Sequence, residues 1–332
     1  MGQKPLLQVE VTELDNLLKR TSGAAPCVAA LGTFDGVHLG HVAILKQAVE
    51  TARHLGVKSL AFTFDRLPVS FLNPERHMPC LNTLEDKIAL LGQYVDEVLV
   101  MRFDERLAAL SPPQFVTEVL CRGLNCRGVA VGYNYTFGHK AAGNVDTLRE
   151  LAGKVGLVVE VVAPVLAAGR QVSSTRIRQL VQAGRVADAC LCLGRPYALS
   201  GVVEAGRSRG RELGFPTANL AADPQLAVPA DGVYVTEVAT LPGHKTLGGA
   251  VTSIGAKPTF RENDRSIETY IFGFSGDLYR TRLSVLFHHR LRDIRAFADR
   301  EALRRQIAAD VENAQDYLAN TNRLQQQMPV VY

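Results

Sequence analysis

Between Leu31 and His41 the chain reads Leu-Gly-Thr-Phe-Asp-Gly-Val-His-Leu-Gly-His, preceded by the apolar run Cys27 to Leu31 and followed by helical periodicity. That context suits a phosphate. Glycines at 32, 36 and 40 let the backbone come close to a ligand, and the amino end of a helix offers free N–H groups and a favourable dipole. His38 and His41 add side-chain donors for the charge that builds when an α-phosphate is attacked. His-x-x-His also reads as a metal pair or as two surface histidines; Gly40 between them and the lack of a nearby Cys or carboxylate cluster weaken the metal alternative.

A second group lies at Val172-Ser-Ser-Thr-Arg-Ile-Arg178, where the hydroxyls of residues 173, 174 and 175 can cap a helix whose first turn carries Arg176 and Arg178. Hydroxyls, free amides and guanidinium groups together suit a pyrophosphate, although the segment taken alone also reads as a plain N-cap with solvated arginines. Further on, Gly201 to Ser208 is spaced like a P-loop with Arg207 in the lysine position. A P-loop passes from a parallel strand into a helix, whereas Arg209-Gly-Arg-Glu-Leu-Gly-Phe-Pro continues as turn-rich chain. The segment reads instead as a cationic, Gly-rich lid for phosphates.

Positioning such groups takes two kinds of scaffold. From Pro26 to about Val162 short apolar runs alternate with helical ones, the pattern of parallel strands joined by helices. Strands are expected at Cys27 to Leu31, Ser59 to Thr63, Glu97 to Val100, Gly128 to Val131 and Val158 to Val162, and helices at Val42 to Leu55, Leu84 to Tyr94 and Pro112 to Cys121. Beyond Gly194, Gly and Pro recur and Val-Ile-Phe-Tyr alternation marks antiparallel strands at Gly232 to Val238, Leu247 to Ile254, Ile267 to Gly273 and Arg282 to Phe287. A small closed barrel hides the edges of such a set. A tail from Asp299 to Leu318 returns to helical spacing, with Leu303, Ile307, Val311 and Ala314 on one face. The fold class is therefore α/β plus β, a Rossmann-like domain over 1–188 and an antiparallel barrel with a terminal helix over 189–332.

At 332 residues the chain suits two domains, and 47% apolar with 21% charged residues supplies an ordinary core. The net charge of +4 is spread without a basic block and Trp is absent, which fits phosphate-bearing small ligands and not nucleic acid. Six cysteines include no C-x-x-C pair, so most are expected as buried free thiols in a reducing cytosol. The amino terminus shows no apolar leader, Leu6 occupies the Ser/Thr position of a myristoylation motif, and the most apolar stretch, Leu157 to Ala168, is too short to span a membrane.

The His-Gly-His segment with the later Ser-Ser-Thr-x-Ile-Arg resembles the adenylyltransferase superfamily, and the longer string Gly32 to His41 is similar to its FAD synthetase branch. The resemblance implies ATP binding by Gly32, Phe34, Asp35, Gly40, Ser174, Thr175 and Arg178, with His38 and His41 at the reacting phosphate. Val131 to Gly138 resembles the flavin-side segment of that branch, which implies that Asn134, and Asp65 with it, approach FMN. Where the family reads Phe-Asp-Pro-His-Pro this chain has Phe64-Asp-Arg-Leu-Pro68, a departure on the flavin side.

Gly214-Phe-Pro-Thr-Ala-Asn-Leu220 resembles the riboflavin kinase signature. By that resemblance Thr217 and Asn219 serve Mg-ATP as oxygen ligands of Mg²⁺, with Gly210 in the loop before them. Glu268, in Ser266 to Tyr270, takes the place of the catalytic glutamate, and Arg292 lies in a flap beside the flavin. By residue type alone these would be a turn with structural hydrogen bonds and a solvated strand glutamate. Ser253 and Gly273 stand where the family has Asn and Asp. The whole implies a cytoplasmic enzyme that takes ATP and riboflavin to FMN and ATP and FMN to FAD with release of pyrophosphate. It has no nucleic-acid or membrane partner, and a transient oligomer is compatible with it. A kinase that has lost FMN adenylylation, or a flavin-binding sensor without turnover, are the alternatives.

Overall fold

The computed structural model describes residues 10–19, 24–75, 78–205, 210, 213–243, 245–256 and 265–327. Leu6 and the cationic stretch 206–209 with Arg211 and Glu212, read above as a lid, lie outside the described residues. The chain divides into two compact units, Met1–Ser174 and Thr175–Tyr332.

In the first unit β1 (Val11–Thr12), β2 (Cys27–Leu31), β3 (Lys58–Phe64), β4 (Glu97–Met101), β5 (Cys126–Gly132) and β6 (Val158–Val162) form one sheet in the order β1-β4-β3-β2-β5-β6. Every pairing in it is parallel. Strand β2 is buried along its whole length, because both faces of a parallel sheet are covered. Alternate residues feed two cores: Val28 and Ala30 pack with Ile44, Leu45 and Ala48 of α1 (Leu39–Leu55), while Ala29 and Leu31 pack with Phe62, Phe115 and Val119. The five expected strands are present to within two residues at either end. Helix α2 (Leu84–Leu91) stops at Gly92, earlier than its periodicity suggests.

The expected helix from Pro112 makes one α-turn behind a Ser111–Gln114 capping box, then widens into π-helical turns over Phe115–Gly123. The wider turn keeps Phe115, Val116, Val119 and Leu120 in the core. Strand order reverses between β2 and β5, since the chain runs from β2 to β3 and β4 on one side and from β5 to β6 on the other. Such a switch point opens a crevice at the carboxyl ends of the strands, the expected place for a ligand.

In the second unit, α3 (Ser174–Gln182) and α4 (Val186–Leu193) precede a closed antiparallel barrel. A short β7–β8 hairpin (Leu166–Ala167, Arg170–Gln171) belongs to the first unit. The barrel strands are β9 (Tyr197–Glu204), β10 (Ala218–Ala222), β11 (Gly232–Leu241), β12 (Thr246–Ala256), β13 (Arg265–Ile271) and β14 (Arg282–Arg292), joined in the order β10-β13-β12-β11-β14-β9. Strands β9 and β10 go beyond the sequence reading. Their sequences, Tyr-Ala-Leu-Ser-Gly-Val-Val-Glu and Ala-Asn-Leu-Ala-Ala, carry little β-propensity of their own. Closure recruits them: a Cβ on Gly201 would meet the carbonyl oxygen of Ala221 at 2.4 Å, so the two strands approach only because residue 201 is glycine.

Inside the barrel Tyr234 meets Phe287 edge-on at 5.4 Å, and the hydroxyls of Tyr197 and Tyr234 donate to the carbonyls of Ala227 and Ala230. Buried Thr236, Thr252 and Thr269 form a hydroxyl ladder across β11, β12 and β13, with O···O distances of 2.8 and 3.0 Å. The terminal helix α5 (Arg300–Gln327) covers Val233, Val235 and Val251 with Val311, Ala314, Tyr317 and Leu318. The contact stripe thus runs toward the helix end, and Leu303 and Ile307 of the expected face are only partly buried. Cys27, Cys126 and Cys192 are buried thiols, but Cys80, Cys121 and Cys190 are partly accessible, so burial is less general than the apolar surroundings of these residues suggest.

One close side-chain contact on the barrel bears on its response to acid. His288 Nε2 lies 2.7 Å from Glu237 Oε2, and this bond holds the Glu237 carboxyl below its ordinary range. A carboxylate whose folded pKa is depressed adds stability above its unfolded value, near 4.5, and loses it as pH falls through the folded value. Glu237→Gln should therefore lower the melting temperature at pH 7 by about 2 °C, an effect of order 1 kcal/mol for a partly buried pair. The gap to the parent should close in melts taken near pH 3.

Candidate active sites

The segment after β2 leaves at the switch point and is strained. Phe34 (φ 50°), Gly36 (φ 82°) and Val37 (φ 40°) all enter the left-handed region, and for β-branched Val37 that is a true outlier. Side chains from distant segments hold the loop there. The Asp35 carboxylate accepts from the N–H of Leu81 at 2.8 Å, and the Asn82 side-chain oxygen accepts from the N–H of Gly36 at 2.8 Å. The Ser174 hydroxyl donates to the Asp35 carbonyl at 2.8 Å, so the two phosphate-suited segments of the sequence meet.

His38 caps α1. Its Nδ1 accepts from the N–H of His41 at 3.2 Å, which assigns the proton of the neutral ring to Nε2 and makes that atom a donor. The two imidazoles stack with centroids 3.6 Å apart, and Phe34 meets His41 edge-on at 5.2 Å. Among the described residues no group of three His, Cys, Asp or Glu side chains is placed to hold a metal ion, so the metal-pair reading finds no further ligand.

The glycines serve different ends. Gly36 supplies the left-handed turn, whereas a Cβ on Gly32 or Gly40 would strike the ring of Phe34 or His38 at 3.1 Å, so these two make room for their neighbours. Phe34 is fully buried in the core and offers a ligand only its backbone. Thr175 and Arg178 follow Ser174 on α3, with Arg178 buried.

Asn134 is exposed in the turn after β5, its amide oxygen folded toward Gly132. Asp65, just past β3, accepts from the N–H of Phe103 at 2.9 Å. In the departing segment, Arg66 pairs with Asp65 at 3.1 Å and lies over the Phe71 ring, while Leu67 is buried at the start of the turn Pro68–Leu72.

Sequence reasoning passed over the segment that clamps this loop. Leu81 and Asn82 hold it from outside, and Lys87, 7% exposed, donates to the Phe64 carbonyl at 2.7 Å. The available signal was Asn82-Thr-Leu-Glu-Asp86: Thr83 caps α2 by accepting from the N–H of Asp86, so the first turn of that helix was legible, though not what it touches.

In the barrel, register brings the remaining residues into one circumferential row. Asn219 lies opposite Glu204 on one side and Glu268 on the other, Glu268 opposite Ser253, Ser253 opposite Val233, and Val233 opposite Arg292. Directly opposed residues share a face. Ile267 and Thr269 point into the core, so Glu268 stands on the outer face beside Asn219. Thr217 immediately precedes β10, and Phe215 packs edge-on against Tyr270 at 5.3 Å. Gly210 receives the N–H of Phe215, and a Cβ there would lie 2.3 Å from the Phe215 carbonyl oxygen and 3.2 Å from the Thr217 hydroxyl. Arg292 is gripped by buried Asp310 through Nε (3.0 Å) and Nη2 (2.7 Å) and lies over the Phe297 ring, which pins the end of β14 to α5.

Residues 21–176 match the FAD synthetase family and residues 193–318 the riboflavin kinase family, which makes the chain a two-part transferase of flavin-cofactor synthesis. The bifunctional riboflavin kinase/FMN adenylyltransferase of Pseudomonas fluorescens is 38% identical over 87% of this chain and 92% of its own. That of Bacillus subtilis (strain 168) is 35% identical over 95% and 99%. The chain belongs to the bifunctional riboflavin kinase/FMN adenylyltransferase family. A crystal structure described as a macrolide-efflux protein from Streptococcus pneumoniae superposes with a TM-score of 0.81 at 30% identity, covering 90% of this chain and 96% of that one. Among the described residues no helix is long and apolar enough to cross a membrane.

The strained loop makes a stability prediction independent of activity. Gly36→Ala places a side chain at φ 82° and should cost about 1–2 kcal/mol. Gly32→Ala should cost a similar amount by displacing the fully buried Phe34 ring. Urea denaturation of both variants beside the parent checks the pair.

Proposed function

We propose that the two sites work in sequence on one flavin, the division of labour falling at residues 1–188 and 189–332. The observation that carries this reading is the pairing of Asn219 with Glu268 on the outer face of the barrel, together with the Ser174–Asp35 bond that joins the two phosphate-suited segments. In the kinase, Glu268 receives the proton of the ribityl 5′-hydroxyl as that oxygen attacks the γ-phosphorus of ATP, giving FMN and ADP. Thr217 and Asn219 offer a hydroxyl and an amide oxygen, hard donors that fit Mg²⁺. The ion, when bound with ATP, offsets phosphate charge. Gly210 lies close against Thr217, and Arg292, fixed by Asp310, presents the 291–293 segment beside the flavin.

In the adenylyltransferase a phosphate oxygen of FMN attacks the α-phosphorus of ATP and pyrophosphate leaves. His38 through Nε2–H and His41 donate to the charge on the reacting phosphate, and the backbone of Gly32 to Gly40 cradles it. Ser174, Thr175 and Arg178 receive the departing pyrophosphate. Asn134 and Asp65 border the flavin, and Arg66, paired to Asp65, and Leu67 take the two positions that a Pro-His pair fills in the family. The substrates are ATP, riboflavin and FMN, the setting is the cytoplasm, and neither nucleic acid nor membrane takes part.

A second reading, FMN formation alone, draws on that Arg66–Asp65 pair, which occupies a carboxylate assigned to the flavin side. One assay separates them. Incubated with riboflavin and Mg-ATP, the chain should release both FMN and FAD, resolved by chromatography; FMN alone would establish the second reading. Glu268→Ala should lose FMN formation by about 10²-fold or more yet keep FAD synthesis from supplied FMN, and His38→Ala should do the reverse. Flavin binding with no product would leave only a sensor.

A further inference from the structure

Lysine is rarely buried, because an ammonium away from water needs compensation on every side. Lys87 has it. Its Nζ donates to the carbonyl of Phe64 at 2.7 Å and reaches the carbonyl of Thr33 at 3.5 Å. The same Thr33 oxygen accepts from the Thr63 hydroxyl at 3.0 Å. Burial pushes the ammonium below its ordinary range, and the charges of Asp35 and Asp65 oppose that shift. The two carbonyls have distinct addresses: Thr33 lies in the strained phosphate loop after β2, and Phe64 ends β3 and leads into Asp65 on the flavin side.

We propose that Lys87 is a positioning residue for adenylyl transfer, its buried ammonium tying the loop that cradles the ATP phosphate to the segment that borders FMN, so that nucleophile and phosphorus are held in line. The assignment rests on the adenylyltransferase reading above. Lys87 touches neither substrate. It acts through Thr33 and Phe64, and a displacement of even about 1 Å between the two loops is enough to cost on the order of 10²-fold in rate. Two backbone carbonyls within reach explain why a hydrogen-bond donor, and not an apolar side chain of similar length, fills this position.

The test uses the full chain, because FMN formation from riboflavin in the other unit reports independently on folding. In Lys87→Met, kcat for FAD formation from supplied FMN should fall at least about tenfold while KM for ATP and for FMN each move by less than about threefold. FMN formation should stay within about twofold of the parent, and Lys87→Arg, which keeps a cationic donor, should recover most of the lost kcat. Lys87→Met retaining FAD synthesis within about twofold, or Lys87→Arg behaving like Lys87→Met, overturns the proposal. If Lys87→Met loses both activities and its melting transition, Thr63→Val decides. This variant removes only the companion bond to Thr33: a fall of about threefold or more in kcat for FAD with FMN formation intact sustains the proposal, and an unchanged kcat overturns it. A parent chain that makes no FAD fails the underlying reading as well, a result distinct from a competent parent whose Lys87→Met variant is equally competent.

Discussion

A backbone turn that no helix or strand would choose lies at the centre of the first unit. Three residues between Gly32 and His38 take left-handed angles, at a cost of order 1–3 kcal/mol for each non-glycine. The loop persists because its polar groups are answered from elsewhere: Leu81 for the Asp35 carboxylate, Asn82 for the Gly36 amide, and Ser174 for the Asp35 carbonyl. Those partners lie 46 and 139 positions away in sequence, so the loop's conformation depends on tertiary contacts. What results is a fixed turn at the amino end of α1, beside two stacked histidines whose orientation is set by the same helix cap.

The barrel meets a related problem by symmetry of register in place of strain. Closing six strands removes every exposed edge and forces an inside and an outside. Inside go the tyrosines, Phe287 and the threonine ladder, each polar atom answered by a carbonyl or another hydroxyl. Outside, the same pairings line up Glu204, Asn219, Glu268 and Ser253 without any contact between them in sequence. The helix α5 then covers the hydrophobic outer patch around Val233, Val235 and Val251, and Arg292 with Asp310 locks that cover to the rim.

Much of this was legible in the residues. Five parallel strands announced themselves as short, mostly apolar runs, most plainly β2, which is buried throughout, and β2 and β6 were placed to the residue. The four long barrel strands showed alternation, and the helix after Gly40 showed its periodicity. Strands β9 and β10 did not show themselves, since alanine, serine and glycine have no strand preference until a partner strand supplies one. The π-helical turns after Gln114 were equally invisible, because the capping signal at Ser111 is the same for either helix.

The sequence by itself determined the chemical inventory and its order along the chain: two histidines behind a glycine-rich turn, a hydroxyl-arginine helix start, a Thr-x-Asn pair and a strand glutamate. Residue type and local spacing decide those things, and they depend on nothing more than short-range sterics and hydrogen bonding. Only the tertiary structure decided which of these groups meet, that Gly32 and Gly40 make space for Phe34 and His38, and that buried Lys87 joins two loops from beneath. Such contacts close over tens of residues, and their free energy depends on burial and register, quantities that exist only after the strands have paired.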